Sequence, residues 1–285
     1  MDTRLTIINQ FYDQGGEEER LSRSRQGQLE FLTTMRYIHR WSGHKMNILE
    51  IGAGTGRYSR ALAQEGHNVA AIELVESNLE VLRRYAAAAN IAAYQGDALD
   101  LSRFPDETFD LTLLLGPMYH LYTSSDQHRA LDEAIRVTKS GGVLMVSFLS
   151  VYAIMSNNYL RGNFYAGLEE NFTSEYQVKH FPEQLFTGFT VTEFEQLFEH
   201  KPVKWLTTVA TDGCMELAEG RRDFALSDEE FEAYTAYHWQ TCEVRELLGA
   251  SSHLLYIGQK KSYGNRLPFS SLKTDQQDNA SNHQI

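Results

Sequence analysis

The feature that most constrains the fold is a short apolar run that ends in an acidic residue and closely spaced glycines. Residues 47–56 read NILEIGAGTG. Glycine adopts the backbone angles of a tight strand-to-helix turn and lets a ligand approach bare backbone amides. Gly52, Gly54 and Gly56 are spaced G-x-G-x-G, whereas the dinucleotide fingerprint is G-x-G-x-x-G and meets Arg57 here at its last position. The segment predicts a strand and a nucleotide-binding turn for a ligand without a pyrophosphate, or a purely structural turn.

Three further apolar runs end in residues suited to binding a nucleoside. Residues 69–73 (VAAIE) end in Glu73, residues 92–98 (AAYQGDA) contain Asp97, and residues 109–115 (FDLTLLL) lead into GPMYH. A carboxylate in the position of Glu73 can accept hydrogen bonds from both hydroxyls of a ribose. Asp97 is suited to accept from an adenine amino group, or else to cap a turn. The four strand ends are predicted to converge on one rim of a sheet.

From about residue 47 to residue 148 the sequence resembles the class I S-adenosylmethionine-dependent methyltransferases. Several of the family's motifs occur in order: E-x-G-x-G-x-G from Glu50 to Gly56, the ribose-binding acid at Glu73, G-D-A from Gly96 to Ala98, F-D at Phe109 and Asp110, and R-V-x-K-x-G-G from Arg136 to Gly142. The resemblance implies S-adenosyl-L-methionine as the cofactor.

The same resemblance implies which residues surround that cofactor. The expected set follows the four strand ends: Glu50, Gly52, Ala53, Gly54, Gly56, Glu73, Leu74, Asp97, Ala98, Leu115 and Gly116. Glu50 is expected to orient the cationic amino acid end of the cofactor, the alternative being a polar strand terminus. No metal ligand set is expected.

The acceptor side is predicted from the chemistry of methyl transfer. A hydroxyl or protonated amine must lose a proton, and His120 is the predicted base because it follows the fourth strand at the shared rim. Tyr119 is expected to orient the acceptor. Packing or helix capping is the alternative for His120. Tyr12 is a candidate pocket residue, since this family often brings an N-terminal helix over the cofactor, and Arg57 either contacts a carboxylate or is solvated.

Alternation of buried strands and amphipathic helices predicts an α/β fold. It is expected to be a Rossmann-like doubly wound seven-stranded sheet with the last strand antiparallel, helices on both faces and an aromatic-rich insertion after strand five. Residues 1–45 form a helical cover, residues 46–261 the methyltransferase domain, and residues 262–285 a polar tail. Helices are predicted over residues 18–41, 191–199 and 228–248. The charged residues 17–20 (EEER) are expected to be a solvated helix start.

The insertion, residues 149–189, is a predicted lid over the acceptor. Its aromatic residues could line a pocket or build a small core of their own. They are Tyr152, Tyr159, Phe164, Tyr165, Phe172, Tyr176, Phe181, Phe186 and Phe189.

Charge and cysteine content narrow the function classes. The formal net charge of -12 disfavours binding to nucleic acid or to a lipid surface. Cys214 and Cys242 lack metal-ligand spacing and imply no disulfide framework. With no apparent targeting segment or membrane-spanning run, a cytoplasmic protein is expected; the oligomeric state is left open.

These observations predict a methyltransferase that acts on an O, N or S atom of a small molecule. Three alternatives remain: a protein or RNA methyltransferase, although G-P-M-Y replaces the N-P-P-Y such an enzyme would carry; a catalytically inactive sensor that binds the cofactor; and a nicotinamide-dependent oxidoreductase, which the glycine spacing disfavours.

Overall fold

The computed structural model describes residues 3–87 and 89–262. A single mixed sheet runs through the described chain in the order β3-β2-β1-β4-β5-β8-β7, with β6 paired to β5. Its strands are β1 (Asn47–Ile51), β2 (Asn68–Glu73), β3 (Ile91–Gln95), β4 (Phe109–Leu114), β5 (Thr138–Ser150), β6 (Gly188–Phe189), β7 (Val203–Ala210) and β8 (His253–Lys260).

The sheet is parallel except at β8, which runs antiparallel to both β5 and β7. The predicted doubly wound sheet with an antiparallel last strand is therefore confirmed, and the two-residue β6 adds a short eighth strand. Because β8 runs the opposite way, its first residue, His253, pairs with Leu149 near the carboxyl end of β5. The start of β8 thus lies at the rim where the parallel strands end.

The helices follow the strands in alternation. The principal ones are α1 (Thr3–Tyr12), α2 (Arg20–Arg23), α3 (Arg25–Trp41), α4 (Arg57–Gln64), α5 (Glu76–Ala86), α6 (Ser124–Val137), α7 (Val151–Ile154), α8 (Phe164–Asn171), α9 (Val191–Gln196), α10 (Met215–Glu219), α11 (Asp228–Thr241) and α12 (Arg245–Leu248). Short 3₁₀ segments cover Glu17–Glu19 and Pro117–His120, and a π-helical segment covers Met155–Tyr159.

The central strands β1, β4 and β5 are largely apolar because helices cover both faces of the sheet. Residues of β1, β4 and β5 form the middle of the main core, together with the inward faces of α3 and α6. Two stacked aromatic pairs pack in this core: Phe148 on Phe194, with ring centroids 3.9 Å apart, and Phe198 on Tyr256, with ring centroids 3.8 Å apart. This rigid sheet fixes the positions of the strand ends.

Two predicted long helices are interrupted. The helix expected over residues 18–41 breaks at Ser24, which is extended and accepts a hydrogen bond from the amide of Gly27 as the N-cap of α3. The helix expected over residues 228–248 ends at Thr241. There the carbonyl of Cys242 accepts from the amide of Ala210 in β7, so a tertiary hydrogen bond replaces a helical one.

The predicted polar tail lies outside the described residues, apart from Ser262 at their end. Within the described ranges, the helices are all too short or too polar to cross a lipid bilayer.

Candidate active site

The glycine turn after β1 packs tightly against its neighbours. Gly52 has φ +77°, and a Cβ there would lie 2.5 Å from Cδ of Pro117 and 2.9 Å from the carbonyl oxygen of Leu115. Gly56 has φ +85°, and a Cβ there would lie 2.3 Å from a methyl carbon of Leu82 on α5. Gly56 is absent from the cavity wall formed by the described residues, whereas Gly52 is part of it. The structure therefore shows a packing constraint at Gly56, and its part in cofactor binding stays a prediction.

Glu73 ties the end of β2 to the glycine turn. Its Oε2 accepts a hydrogen bond from the amide of Gly54 at 2.7 Å, and its Oε1 accepts from the amide of Val75 at 2.9 Å. Burial raises the pKa of this carboxyl, although the two amides oppose the shift. The side chain of Asn78 also hydrogen-bonds to this carboxyl, and Glu73 lines the cavity. A carboxylate has about four lone-pair sites, so Glu73 keeps room to accept from a ribose hydroxyl.

Glu50 is almost fully buried at the end of β1. It accepts a hydrogen bond from the hydroxyl of Ser59 on α4. Burial raises the pKa of Glu50 to about 8, so this carboxyl is mostly protonated at neutral pH. A cation bound beside it would favour ionisation. The site is thus suited to an ammonium group, as the sequence predicts.

Asp97 lines the cavity after β3, next to Ala98. Its Oδ1 accepts from the amide of Leu99 at 3.0 Å, and its Oδ2 is paired with Arg4 of α1. The turn-capping alternative is thus present in the structure. Contact of Asp97 with adenine stays a prediction, and Arg4 joins the N-terminal helix to this strand end.

The loop after β4 supplies the next part of the wall, including Leu115 and Gly116. The hydroxyl of Ser147 on β5 accepts hydrogen bonds from the amide of Gly116 and from the hydroxyl of Tyr119, both at 2.9 Å. Tyr119 is therefore fixed from its hydroxyl end. Its buried ring presents a face to the cavity, while the hydroxyl is already engaged.

His120 and Tyr12 both line the cavity and are hydrogen-bonded to each other. Nδ1 of His120 lies 2.7 Å from the carbonyl oxygen of Leu185, which only accepts, so Nδ1 carries the hydrogen. Nε2 then accepts from the hydroxyl of Tyr12 at 3.1 Å. Burial lowers the pKa of His120 to about 4. A base role for His120 stays a prediction, and the observed geometry favours holding α1 over the cavity.

Arg57 forms no ion pair with a carboxylate among the described residues. Its guanidinium carbon lies 4.6 Å from the ring centroid of Phe31, and the residue is exposed at the cavity edge. This arrangement is close to the solvated alternative, with a cation–π contact added.

One cavity of about 470 Å³ contains all of the predicted site residues except Gly56. We call its first part the strand-end compartment, lined by Glu50, Gly52, Ala53, Gly54, Glu73, Leu74, Asp97, Ala98, Leu115 and Gly116. The tight turn at Gly52 and the carboxylate of Glu73 fit a nucleoside with a cationic tail.

The cavity continues into a second part that sequence reasoning missed. We call it the polar compartment, lined by Arg20, Gln26, Glu30, Asn157, Ser252 and His253. The first three come from α2 and α3, Asn157 comes from the π-helical segment, Ser252 directly precedes β8, and His253 is the first residue of β8. Because these residues come from distant parts of the sequence, only the packing of the N-terminal helices on the sheet brings them together. The sequence offered one signal for this compartment, namely that the last predicted strand begins at His253.

Two charge pairs build the polar compartment. The guanidinium of Arg20 contacts both carboxylate oxygens of Glu30, at 2.8 and 3.2 Å. His253 places Nδ1 at 2.8 Å from Oδ2 of Asp212, a fully buried residue that follows β7. Burial alone would lower the pKa of His253, but the carboxylates of Glu30 and Asp212 outweigh it and raise the pKa to about 9. The imidazole is therefore cationic at neutral pH.

Glu17 also lines the cavity, contrary to the solvated position predicted for the charged run. Its Oε1 accepts from Nε of Arg20 at 3.1 Å, and its side chain would lie 3.3 Å from a Cβ at Gly54. The following Glu18 and Glu19 are exposed, as expected.

Glu30, Asp212 and His253 bring their ligand-type atoms within 4.8 Å of one another, a spacing that a metal ion could use. Hydrogen-bond donors already serve the two acids: the Gln26 amide contacts Asp212 at 2.6 Å, and Arg20 holds Glu30. A metal ion would have to displace these donors.

The aromatic insertion contributes little aromatic surface to the cavity. Phe186 lines it, packing with ring centroids 5.2 Å from His120 and 5.3 Å from Phe11. Tyr165 and Tyr176 are instead 88% and 71% exposed, and Phe189 is buried in the main core. Asn157 and Asn158 line the cavity and were missed. Among the described aromatic residues of the insertion, Phe186 alone meets the pocket-lining expectation.

Comparison with known proteins agrees with the geometry of the strand-end compartment. Residues 49–146 match the family described as the methyltransferase domain. Demethylmenaquinone methyltransferase of Clavibacter sepedonicus is 35% identical over 120 residues, which are 42% of this chain and 46% of that enzyme. Ubiquinone biosynthesis O-methyltransferase of Rickettsia akari is 22% identical over 66% of this chain and 75% of the relative. The chain spans only 42–60% of the length of the first three curated relatives.

Solved structures show the same fold over most of the chain. An S-adenosylmethionine-dependent methyltransferase of Mesorhizobium loti superposes with a TM-score of 0.53 at 14% identity, covering 81% of this chain and 99% of the other. The family match includes the glycine turn, Glu73 and Asp97. Residues 49–146 therefore match a methyltransferase domain, and the chain has the fold of the S-adenosylmethionine-dependent methyltransferases, which supports S-adenosylmethionine as the cofactor.

Proposed function

We propose that the chain transfers the methyl group of S-adenosylmethionine to a small organic molecule held in the polar compartment. The observation that carries this proposal is the continuity of one cavity from the strand-end compartment to the polar compartment. Its volume of about 470 Å³ falls within the usual range for small-molecule sites, about 300–1,000 Å³.

The cofactor supplies an activated methyl group on a sulfonium sulfur. The chain must therefore align an acceptor lone pair with that methyl group and exclude water. The side chains of Glu73 and Glu50 would hold the ribose and the amino group, while Gly52 lets the turn lie close to the ligand. The side chain of Tyr119, fixed through Ser147, lines the same cavity.

The N-terminal helices support a small acceptor rather than a polymer. Ile8, Phe11 and Tyr12 of α1 lie on the cavity wall, and Arg4 ties the same helix to Asp97. An extended peptide or nucleic acid would have to pass these residues. The net charge of -12 also opposes a phosphate backbone. A soluble, cytoplasmic enzyme is part of this proposal.

The test is methyl transfer by the purified chain to a panel of phenols, carboxylic acids, amines and thiols, with the demethylated cofactor measured by mass spectrometry. We expect turnover of at least one small acceptor. A Glu73→Ala variant should lose turnover, while Glu80→Ala, at an exposed position on α5, should retain it. Methylation of added protein or RNA but of no small molecule would contradict the proposal.

A further inference from the structure

The polar compartment contains a histidine–aspartate pair placed for proton transfer. Asp212 lies two residues beyond β7, and His253 begins β8. Ala210 pairs with Leu254, and Leu149 pairs with His253. The antiparallel direction of β8 thus places both groups at the rim where β5 ends. This is the rim from which the cofactor residues project.

Asp212 is held rigidly beneath the imidazole. Its Oδ1 accepts from the hydroxyl of Ser251 at 2.5 Å and from the amide of His253 at 3.2 Å. Its Oδ2 accepts from Gln26 at 2.6 Å. Burial alone would raise the pKa of Asp212, but its attraction to His253 and these hydrogen bonds lower it. Asp212 is therefore an ionised acceptor.

The hydrogen-bond pattern fixes the tautomer of His253. Nδ1 lies 2.8 Å from the ionised Asp212, so it carries a hydrogen. The amide nitrogen of Gln26 is 3.2 Å from the same Nδ1, but it donates to Asp212 and lies 3.4 Å from Oε2 of Glu30. Nε2 is consequently the atom that gains or loses a proton.

Nε2 of His253 is available to a ligand. None of the described residues forms a hydrogen bond to it, although the side chain lines the cavity. The ring lies beside that of Tyr119, with centroids 5.9 Å apart. Since Nδ1 faces the buried acids, Nε2 lies on the opposite edge of the imidazole.

We propose that Nε2 of His253, oriented by Asp212, accepts the proton of an acidic hydroxyl on the methyl acceptor, which makes the reaction an O-methylation. This inference rests on the proposed function and adds the acceptor atom to it. His253 is then the catalytic base in place of His120, and Asp212 is a positioning residue.

The step balances in protons and electrons. Because the imidazole is cationic at neutral pH, Nε2 first loses its own proton to water. The hydroxyl proton then moves to the neutral Nε2, and an oxygen lone pair forms the new bond to the methyl carbon. The electron pair of the carbon–sulfur bond goes to sulfur, which loses its positive charge. The imidazolium then releases one proton to water in each cycle.

An acidic hydroxyl fits the surrounding charges better than an ammonium acceptor. Glu30 and Asp212 are already satisfied by Arg20, Gln26 and Ser251. The imidazolium would attract a forming oxyanion and repel a cation. The pKa of His253, about 9, also lies close to the ordinary value of a phenol, so proton transfer would be nearly balanced.

The test begins with the chain alone. In protein labelled with ¹³C-histidine, we expect the His253 resonance to titrate well above the ordinary histidine midpoint. In Asp212→Asn the midpoint should fall, although Glu30 and Arg20 from the N-terminal helices, Tyr119 and the nearby Glu216 still face the site. A His253 midpoint near the ordinary histidine value of about 6.5, or one unmoved by Asp212→Asn, would overturn the role of the pair.

The second part uses 4-hydroxybenzoate, catechol, benzoate, benzylamine and thiophenol as acceptors. We expect methylation of an oxygen acceptor, and a loss of at least about 100-fold in His253→Gln, as is typical for removal of a general base. In the wild type, kcat should rise with pH as His253 loses its proton. This rise should be absent in His253→Gln. His39→Gln is the matched control and should keep wild-type activity.

Other outcomes separate this inference from the proposed function. Cofactor binding with transfer only to benzylamine or thiophenol would overturn the oxygen assignment and leave the small-molecule function standing. Unchanged O-methylation in His253→Gln would overturn the base. Failure to methylate any member of the panel would overturn the oxygen assignment for this chemistry, while failure to bind S-adenosylmethionine would count against the function itself.

Discussion

The amide nitrogen of Gly54 lies 2.7 Å from Oε2 of Glu73, which joins the turn after β1 to the end of β2. This hydrogen bond fixes one carboxylate oxygen of a side chain that lines the cavity. The turn and the ribose-binding acid are thus one unit.

Replacing Glu73 with Gln should weaken binding of S-adenosylmethionine by about 1–3 kcal/mol, because charge-assisted hydrogen bonds to the ribose hydroxyls would be lost. Calorimetric titration measures this directly. Glu80→Gln on the exposed face of α5 is the control and should bind as the wild type does. Equal affinity of the Glu73→Gln variant would remove Glu73 from the site.

Binding of the cofactor should release a proton from Glu50. The pKa of this carboxyl is about 8 because it is buried, and an ammonium group beside it would lower that value. The affinity for the cofactor should therefore rise as the pH increases through neutrality. Calorimetry in buffers of different ionisation enthalpy should show proton release in the wild type and none in Glu50→Gln. Proton uptake on binding would contradict this role.

Gly52→Ala should both destabilise the fold and weaken cofactor binding. The residue has φ +77°, and a new Cβ would meet Pro117 at 2.5 Å. We expect a loss of about 1–3 kcal/mol in the free energy of unfolding, as for other strained backbone positions. Gly43→Ala is the control, since a Cβ at that position would meet nothing within 4 Å. Equal stability of the two variants would refute the steric constraint.

His120 and His253 should affect the pH dependence of stability in opposite directions. The pKa of His120 is lowered to about 4, so the unfolded chain binds more protons and stability falls as pH drops from 6.5 to 4. The pKa of His253 is raised to about 9, so its stabilising contribution is complete below pH 6.5 and is lost as pH rises to 9.

Each histidine should contribute roughly 3 kcal/mol across its window, since one pKa unit corresponds to about 1.36 kcal/mol. Chemical denaturation across pH measures this. His120→Gln should remove most of the fall in unfolding free energy between pH 6.5 and 4, and His253→Gln most of the fall between pH 6.5 and 9. If the unfolding free energy of His253→Gln fell above pH 6.5 as it does in the wild type, the raised pKa of His253 would be contradicted.

The strand-end compartment was predictable because its residues are close in sequence to the strand ends that carry them. Strand alternation and glycine spacing indicate Glu50, Gly52 and Glu73 without knowledge of tertiary packing. The two helix breaks were not predictable in the same way. A cap at Ser24 and a hydrogen bond from Ala210 to Cys242 override the helical periodicity.

The polar compartment required the packed structure. Glu30 lies on a helix before the first strand, and His253 begins the last strand, so no local pattern connects them. The aromatic insertion was misleading for a related reason: its composition suggested a pocket wall, but Tyr165 and Tyr176 face solvent. Composition does not specify which side of a segment faces a ligand.

The measurement that most directly tests cofactor recognition is calorimetric titration of the purified chain with S-adenosylmethionine, its demethylated product and NADH. We expect saturable binding of the first two with one site per chain, and no binding of NADH. Binding of NADH alone would contradict the assignment of the glycine turn and Glu73 to S-adenosylmethionine.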